Sequence, residues 1–537
     1  MTGCSVDSAQ SPQGNSGVSD INSRAPATLR QGGNLNLAIS ELPRNFNPLH
    51  VDADADYIDM AKASYPRAFV LGRDGQPALN TAYFTSVEVD KDDPRVVIYT
   101  INPKAVWSDD APITWQDIAA QAHALSGADP AFHAWLTRGF DQVAAVSRGV
   151  DDHQAIVRFK QPYAPWRGLF AGDSVLLPRT MTATPDAFNG HIDKPGPSAG
   201  PFVISSIDKA DQRIVLTRNP RWWSAAPRLD SITYRLLDQT DPAQLLQHGD
   251  VDAIPLWTEW DVAKAALISD IAIRRALEAN EVSLVYNGRP GAILADKNVR
   301  RVISRAIDRE QIADVMLHGL IDNPHPLNNH IFLEGQPGYQ NNADAAAYNP
   351  AQASRQLDDL GWKLEDGVRE KDGKPLALRY VFFGDHDPTA ARAPNTTNDP
   401  LIRLVQNNLA QIGVKLTIND TPARDFLDTG NFDITDVSGG NTNEMMLLQH
   451  DFGTNGPGNY GKIRSDDIDT KIQQAYTELD VNKVPDLAND LDQTLWAEGH
   501  SLPLYQNVDV LAARVDLANY GAFGLADIDY TSIGFTN

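Results

Sequence analysis

The segment 195–223, PGPSAGPFVISSIDKADQRIVLTRNPRWW, commits part of this chain to an antiparallel sheet. Residues 202–207 and 213–218 are rich in Val and Ile, and the polar run 208–212 separates them. Ile214 and Leu216 alternate with Arg213, Thr217 and Arg218, the two-residue period of a half-buried strand. A Pro/Gly cluster before the hairpin and Asn219-Pro220 after it mark its ends. A hairpin this far into a 537-residue chain belongs to the sheet of one lobe, entered from another.

The flanking patterns agree with a lobed α/β molecule. Upstream, 34–39, 95–101, 143–147 and 155–159 read as strands, and 57–69 and 166–171 as helical. Thr114 with Asp117 three residues on signals a capped helix running to Leu125. The block 58–194 therefore reads as a compact unit inserted between strands of another lobe. Downstream, 229–236, 251–254 and 282–287 read as strands, and Asp241 opens a helix that Gly249 stops. Helices start at Asp296, Asp308 and Asn349-Pro350. Strands at 376–383, 414–419 and 432–437 alternate with helices at 399–412 and 424–429, which is βαβ texture. Two amphipathic helices, 465–480 and 482–498, precede a strand at 502–512, and the residues after it return to the first lobe.

Charge and cysteine usage narrow the function. Forty-six Lys and Arg against 70 Asp and Glu give a net charge of −24, which disfavours nucleic acid or an anionic membrane as electrostatic partners. No run of 18 apolar residues exists to form a bilayer-spanning helix. The single cysteine, Cys4, rules out an internal disulfide or a thiolate zinc cluster. Its context, Thr2-Gly3-Cys4, is similar to the end of a bacterial lipobox, in which Cys4 carries lipid. Residues 5–29 are polar and small, a flexible tether reaching roughly 25–30 Å as a random coil.

Several short motifs occur in a telling order: Trp107-Ser108-Asp109 leading to Thr114 and Asp117, Ala199-Gly200-Pro201-Phe202, Asn219-Pro220-Arg221-Trp222-Trp223, and Gly249-Asp250-Val251-Asp252. They continue through Asn287, Asp296 with Val299-Arg300, Ala306-Ile307-Asp308-Arg309, Tyr348-Asn349-Pro350, Leu409 with Ile412-Gly413-Val414, and Phe432-Asp433-Ile434. In this order the chain resembles the family-5 solute-binding proteins of ABC importers, the oligopeptide and dipeptide binders, and in particular a mycobacterial-type oligopeptide-binding lipoprotein. The resemblance implies an α/β periplasmic-binding-protein type II fold (cluster C) of two hinged lobes with an extra inserted subdomain. It divides the chain into a tether (1–30), a base lobe (31–57, 195–286 and 505–537), the insertion (58–194) and an opposing lobe (287–504). It further implies an extracytoplasmic, lipid-anchored monomer that captures an oligopeptide and delivers it to ABC permease subunits, with no chemistry, cofactor or metal of its own. The same fold serving as an envelope regulatory or interaction lipoprotein, or binding a non-peptide ligand, is the alternative.

One departure bears on the ligand. In peptide-binding relatives the strand corresponding to 432–434 runs into a loop with a Trp and, three residues later, an Asp that pairs with the peptide's amino group. Here Gly439 falls at the Trp and Thr442 at the Asp, so Asp436 or Glu444 must substitute, or the ligand is not an ordinary peptide. The ligand-binding expectations are therefore Asp436, Ser438, Gly439, Gly440, Asn441, Thr442, Asn443 and Glu444 in this loop. By position after other elements, Asn45, Phe46, Asn328, Asn329, His330, Asn459 and Tyr460 join them.

Enzyme signatures fail on context. Gly196-Pro197-Ser198-Ala199-Gly200 matches G-x-S-x-G, yet prolines flank Ser198 and a strand follows instead of a helix. The stretch 456–463 nearly matches a phosphate-binding loop, but Ile463 stands where a Ser or Thr would bind Mg²⁺. His325 and His330 lack the helical spacing and acidic third ligand typical of a metal site.

Overall fold

Strand β1 (Asn34–Ile39) buries Leu35, Leu37 and Ile39, so its alternation places it in a sheet with one packed face. The computed structural model describes residues 19–383, 399–421, 425–439 and 444–537, the side chain of Glu444 excepted. Cys4 and residues 5–18 of the expected tether lie outside them, but residues 19–30 are not a free tether: Asp20 bridges Ala522, Asn22 donates to Leu517 O, and Leu29 is buried in the base half, so the tether expected over 1–30 is overturned from residue 19 on. Helix α1 (Ala55–Ala61) starts where the Asp54 carboxylate accepts from Tyr57 N–H. It ends at Ala61, short of the expected residue 69, and Pro66 further disfavours helical geometry at Tyr65.

The inserted block holds β2 (Phe84–Val89), β3 (Val96–Ile101), α2 (Trp115–Ala124), β4 (Val143–Arg148) and β5 (Gln154–Phe159). The strands form an antiparallel sheet in the order β2-β3-β5-β4. At the start of α2 the Asp117 carboxylate accepts from Thr114 N–H at 2.8 Å, as the capping pattern predicts. Tyr99, Trp107, Phe140, Phe159 and Phe170 fill the core of the block. The stretch expected to be helical at 166–171 is a 3₁₀ segment, Ala164–Phe170.

The chain then re-enters the first sheet through β6 (Phe202–Asp208), β7 (Arg213–Arg218) and β8 (Ser231–Leu236). β6 and β7 form the expected hairpin, and β8 lies parallel to β1 with Leu35 opposite Ile232. At the crossing, Gly200 N–H donates to Ser64 O at 2.7 Å, and a Cβ on Gly200 would sit 2.3 Å from Ala63 O. This close approach explains the glycine, and Ser198 beside it is a packing residue whose N–H donates to Ser108 Oγ. Trp222 and Trp223 pack against Tyr83 of the insertion, with ring centroids 5.7 and 5.5 Å away.

Beyond it come α3 (Pro242–His248), closed by left-handed Gly249, then β9 (Ala253–Pro255) and the sixteen-residue β10 (Ile271–Tyr286). The opposing half carries α4 (Lys297–Ala306), α5 (Arg309–Met316), α6 (Pro350–Asp359), β11 (Ala377–Phe383), α7 (Pro400–Ala410), β12 (Lys415–Thr421) and β13 (Ile434–Gly439). It continues with α8 (Glu444–Asp451), α9 (Asp466–Thr477) and α10 (Val484–Glu498), and β14 (Ser501–Arg514) then runs back.

One ten-stranded sheet runs through both halves in the order β12-β11-β13-β10-β14-β9-β1-β8-β7-β6. Its middle is the antiparallel ribbon of β10 and β14. Pairing runs from Ile271 opposite Arg514 to Leu277 opposite Val508, breaks, and resumes with Glu281 opposite Gln506. The break at 278–280 is a bulge in the two strands that join the halves, a local twist suited to a hinge. The chain thus changes halves inside continuous strands, ahead of residue 286 in β10 and just beyond 504 in β14. The halves are shut against each other: Tyr163 of the insertion lies edge-on to Tyr476 of α9 at 5.4 Å, and Gln161 donates to Gln473 at 3.0 Å. Ile472, Leu491 and Leu495 of α9 and α10 belong to the same buried cluster as the core of the insertion.

Candidate functional site

Between the closed halves lies a cavity of about 850 Å³, toward the upper end of ordinary ligand pockets. Strand alternation builds its floor. Val282, Leu284 and Tyr286 of β10 pack into the helical layer, which throws Glu281, Ser283 and Val285 onto the opposite, cavity face. On the neighbouring β13, Gly439 and Val437 stand opposite Glu281 and Ser283 and share that face. The base half supplies Trp257, residues 508–511 of β14 and the return at 520–528. The insertion supplies Lys62, Trp135, Arg138 and Asp173. Lys62 is held between Asp59 and Asp173, 2.7 Å from each.

Burial shifts the titration of three polar groups of this wall. Burial, reinforced by the negative charge of Asp451, pushes the Glu281 carboxyl up to about 8 even though Ser283 Oγ donates to it at 2.6 Å. Asp509, close to Glu278 and accepting from Phe523 N–H, is pushed up to about 7, again chiefly by burial. His500 goes the other way: burial, then the neighbouring His330 and Arg300, lower it to about 3.

The expected ligand residues divide. Asn329, His330, Ser438, Gly439, Asn459 and Tyr460 line the cavity. Several of them are already committed within the protein. The Asn329 amide donates to Asn489 Oδ1 and its oxygen accepts from Ile331 and Phe332 N–H. His330 Nδ1 lies 2.7 Å from Asp492, and the Asn459 amide staples its own loop by donating to Gly453 O and Ile463 O. That staple makes the 456–463 stretch a packed turn over the end of β10, with a Gly461 Cβ position only 2.2 Å from Tyr286 O.

Other expected residues stand away from the cavity. Asn45 donates to Asn189 O, and Phe46 is 2 % exposed and edge-on to Tyr57 in the base core. Asn328 turns its oxygen to Arg309. Asp436 pairs with Leu284 and shares its face, so it points into the helical layer, where Tyr380 Oη donates to it at 2.9 Å. It is therefore on the wrong side of the sheet to replace the missing amine partner in this cavity. Gly440, Asn441, Thr442, Asn443 and the Glu444 side chain lie outside the described residues. Among the described residues no atom comes within 4 Å of the Gly439 Cβ position, the place where a Trp is expected.

Glu281, Ser283, His500 and Asp509 were missed by sequence reasoning. For the first two a signal existed: polar residues at every second position of an otherwise core-forming strand. Among the described residues no group of three or more His, Cys, Asp or Glu side chains could hold a metal ion; His325 pairs with Glu334 and His330 with Asp492.

Comparison with known proteins gives a consistent result. The family model described as bacterial extracellular solute-binding proteins, family 5 Middle, matches residues 77–456. The oligopeptide-binding protein OppA of Mycobacterium tuberculosis is 48% identical, covering 100% of this chain and 91% of that protein. Among solved structures, the periplasmic EDTA-binding protein EppA superposes with a TM-score of 0.84 at 23% identity, covering 95% of this chain and 98% of that one. The oligopeptide-binding protein AppA from Bacillus subtilis, in complex with a nonapeptide, gives 0.73 at 18% identity, covering 95% and 100%.

Proposed function

We propose that this chain, which belongs to the bacterial extracellular solute-binding proteins of family 5 and has their type II periplasmic-binding-protein fold, captures an oligopeptide between its halves for an ABC importer. The observation that carries the reading is the cavity of about 850 Å³ on the face of the β10–β13 ribbon, with a two-strand hinge beside it. Closure around a ligand removes its amides from water, so affinity depends on the protein supplying hydrogen bonds in return. The wall does so with sparse polar groups set among apolar ones. Lobes joined by a bulged ribbon let the ligand enter and then be sealed in.

The test is direct. Protein purified under native conditions is denatured, and the released small molecules are identified by mass spectrometry; a synthetic library of linear peptides is then screened by thermal shift. Co-purified peptides and stabilisation by library members support the reading. A released non-peptide ligand together with no response to any peptide sinks it in favour of the alternative ligand class, which the Thr442 departure motivates. A regulatory protein with a sealed cleft is not favoured, because the cleft holds an open cavity.

Delivery places the protein at the extracytoplasmic face of the cell membrane, as a monomer that presents its closed form to permease subunits. Cys4 is the residue we assign to the lipid anchor. Cys4→Ser should move the protein from the membrane fraction to the soluble fraction of cells that secrete it, and light scattering should report a monomer mass.

A further inference from the structure

The carboxylates that line the cavity differ in what they are paired with. Asp59 and Asp173 hold Lys62 between them, Asp527 pairs with Arg67, and Asp451 with His450. Glu281 and Asp509 have no such partner. Among the described residues no lysine, arginine or histidine stands within ion-pair distance of either. The charges that act on them are negative: Asp451 of α8 on Glu281, and Glu278 of β10 with Asp59 of α1 on Asp509.

Both carboxylates open onto the cavity. β10 lies between β13 and β14, and β14 between β9 and β10, so neither residue sits on a free strand edge. Val282 and Leu284 pack into the helical layer, and the half-buried Glu281 therefore exposes its remaining surface on the cavity face, opposite Gly439. Asp509 is half-buried on the face it shares with Leu511, beside the 520–528 return that walls the same cavity. Each carboxylate is held by one oxygen: Ser283 Oγ donates to Oε2 of Glu281, and Phe523 N–H to Oδ2 of Asp509. The second oxygen of each accepts from no described group, and it is not among the partnerless atoms that the fold shuts off from solvent. That oxygen is available to a ligand.

A carboxyl group in such surroundings either keeps a proton or gains a cation. Without a ligand it keeps the proton, up to about pH 8 for Glu281 and about pH 7 for Asp509. A ligand ammonium or guanidinium can take the proton's place, with a charge-assisted hydrogen bond roughly twice as strong as a neutral one. The net charge of −24 favours the approach of cations.

We propose that Glu281 and Asp509 are specificity-determining residues of the cavity, each receiving a cationic group of the bound chain, so that the preferred ligands are basic peptides. This rests on the oligopeptide reading above and adds the ligand's charge to it. Binding is then an exchange: a peptide cation enters, the carboxyl O–H bond breaks, and its proton leaves to solvent.

The full chain is used for the test. A synthetic library of linear tri- to pentapeptides is ranked by calorimetry at pH 7, and its tightest members should carry lysine or arginine. The best peptide is remade N-acetylated and, separately, with each basic side chain replaced by norleucine; removing a bound cation should weaken binding about tenfold. Loss on acetylation identifies the chain-end ammonium as a bound group, and loss on norleucine replacement identifies the side chain. Titration in buffers of different ionisation enthalpy should show about one proton released per peptide bound. Glu281→Gln should weaken the basic peptide about tenfold, release less proton, and bind one of the neutralised analogues as tightly as the parent does. Asp509→Asn should do the same with the other cation. Neither ligand-free variant should melt below the parent at pH 7, since each removes a carboxyl that has no cation beside it. Neutralised analogues that match the basic peptide, or basic peptides bound without proton release, overturn the proposal and leave the peptide function intact. A variant that loses affinity equally for basic and neutralised peptides, or loses none, removes its own residue from the assignment. A parent protein that binds no library member removes the peptide function, and this proposal with it.

Discussion

Glu281 makes the stability of the closed molecule depend on pH in a direction opposite to that of a salt-bridged carboxylate. Its pKa rises from an ordinary 4.5 to about 8 because the cavity floor withholds water and Asp451 adds a like charge. Between these values the closed native protein keeps a proton that the unfolded chain has released. Stability from this group is therefore complete below pH 4.5 and is lost as pH climbs to 8. At about 1.4 kcal/mol per unit the full loss is at most about 5 kcal/mol, and residual water in the cavity brings it to roughly 2–5 kcal/mol. Glu281→Gln keeps the shape and the Ser283 partner but removes the titration. Urea unfolding of ligand-free parent and variant, followed by tryptophan fluorescence from pH 4.5 to 8.5, measures the difference. Parent and variant should nearly coincide at pH 4.5, and the variant should gain progressively to a plateau above pH 8. Opening the cleft also solvates the carboxyl, so small-angle scattering of the same samples should show the parent, and not the variant, expanding at high pH. A gap between the two proteins that stays constant across the range refutes the burial argument.

Other consequences follow from contacts already described. Tyr476→Ala removes the edge-on partner of Tyr163 across the cleft; an aromatic pair of this kind is worth about 0.5–1.5 kcal/mol beyond its buried area, so ligand affinity should fall roughly 3- to 10-fold, mainly through faster release in stopped-flow traces. Gly200→Ala forces a methyl against Ala63 O and should cost about 1–3 kcal/mol, seen as a lower melting temperature without a change in ligand preference. Gly439→Trp puts a ring on the cavity floor, where no described atom lies within 4 Å of the Cβ position. Melting should change little, while the longest library peptides that the parent accepts should no longer bind.

What was legible in the sequence was local. The 202–218 hairpin, the Thr114–Asp117 box, and the helix caps at Asp241, Asp296, Asp308 and Asn349 each rest on residues a few positions apart, and each has the expected geometry. The hinge was hidden because Glu278, Asn280 and Glu281 interrupt the apolar pattern of β10, so only its last third reads as a strand. They are polar because one side of the ribbon there borders a cavity instead of a core. The site was legible in part from loop position, as at Gly439 and Tyr460. It misled at Phe46 and Asp436, since a loop after a strand and a strand residue near a loop give no information about which face of the sheet they occupy. Asp509 could not have been found from spacing, because what singles it out is a half-buried carboxylate with no described cation beside it, a property of the assembled structure.

The place of β14 in the sheet also orders the folding of the chain. Residues 501–514 lie between β9 and β10, whose own residues precede them by more than two hundred positions. Until that last long strand is available, each half of the sheet ends in an unpaired edge, and the loop that must close to heal it spans nearly half the molecule. Folding is therefore completed from the C-terminal end. A chain truncated before residue 501 would expose two open sheet edges prone to self-association, where a protein built from independent lobes would leave one intact domain.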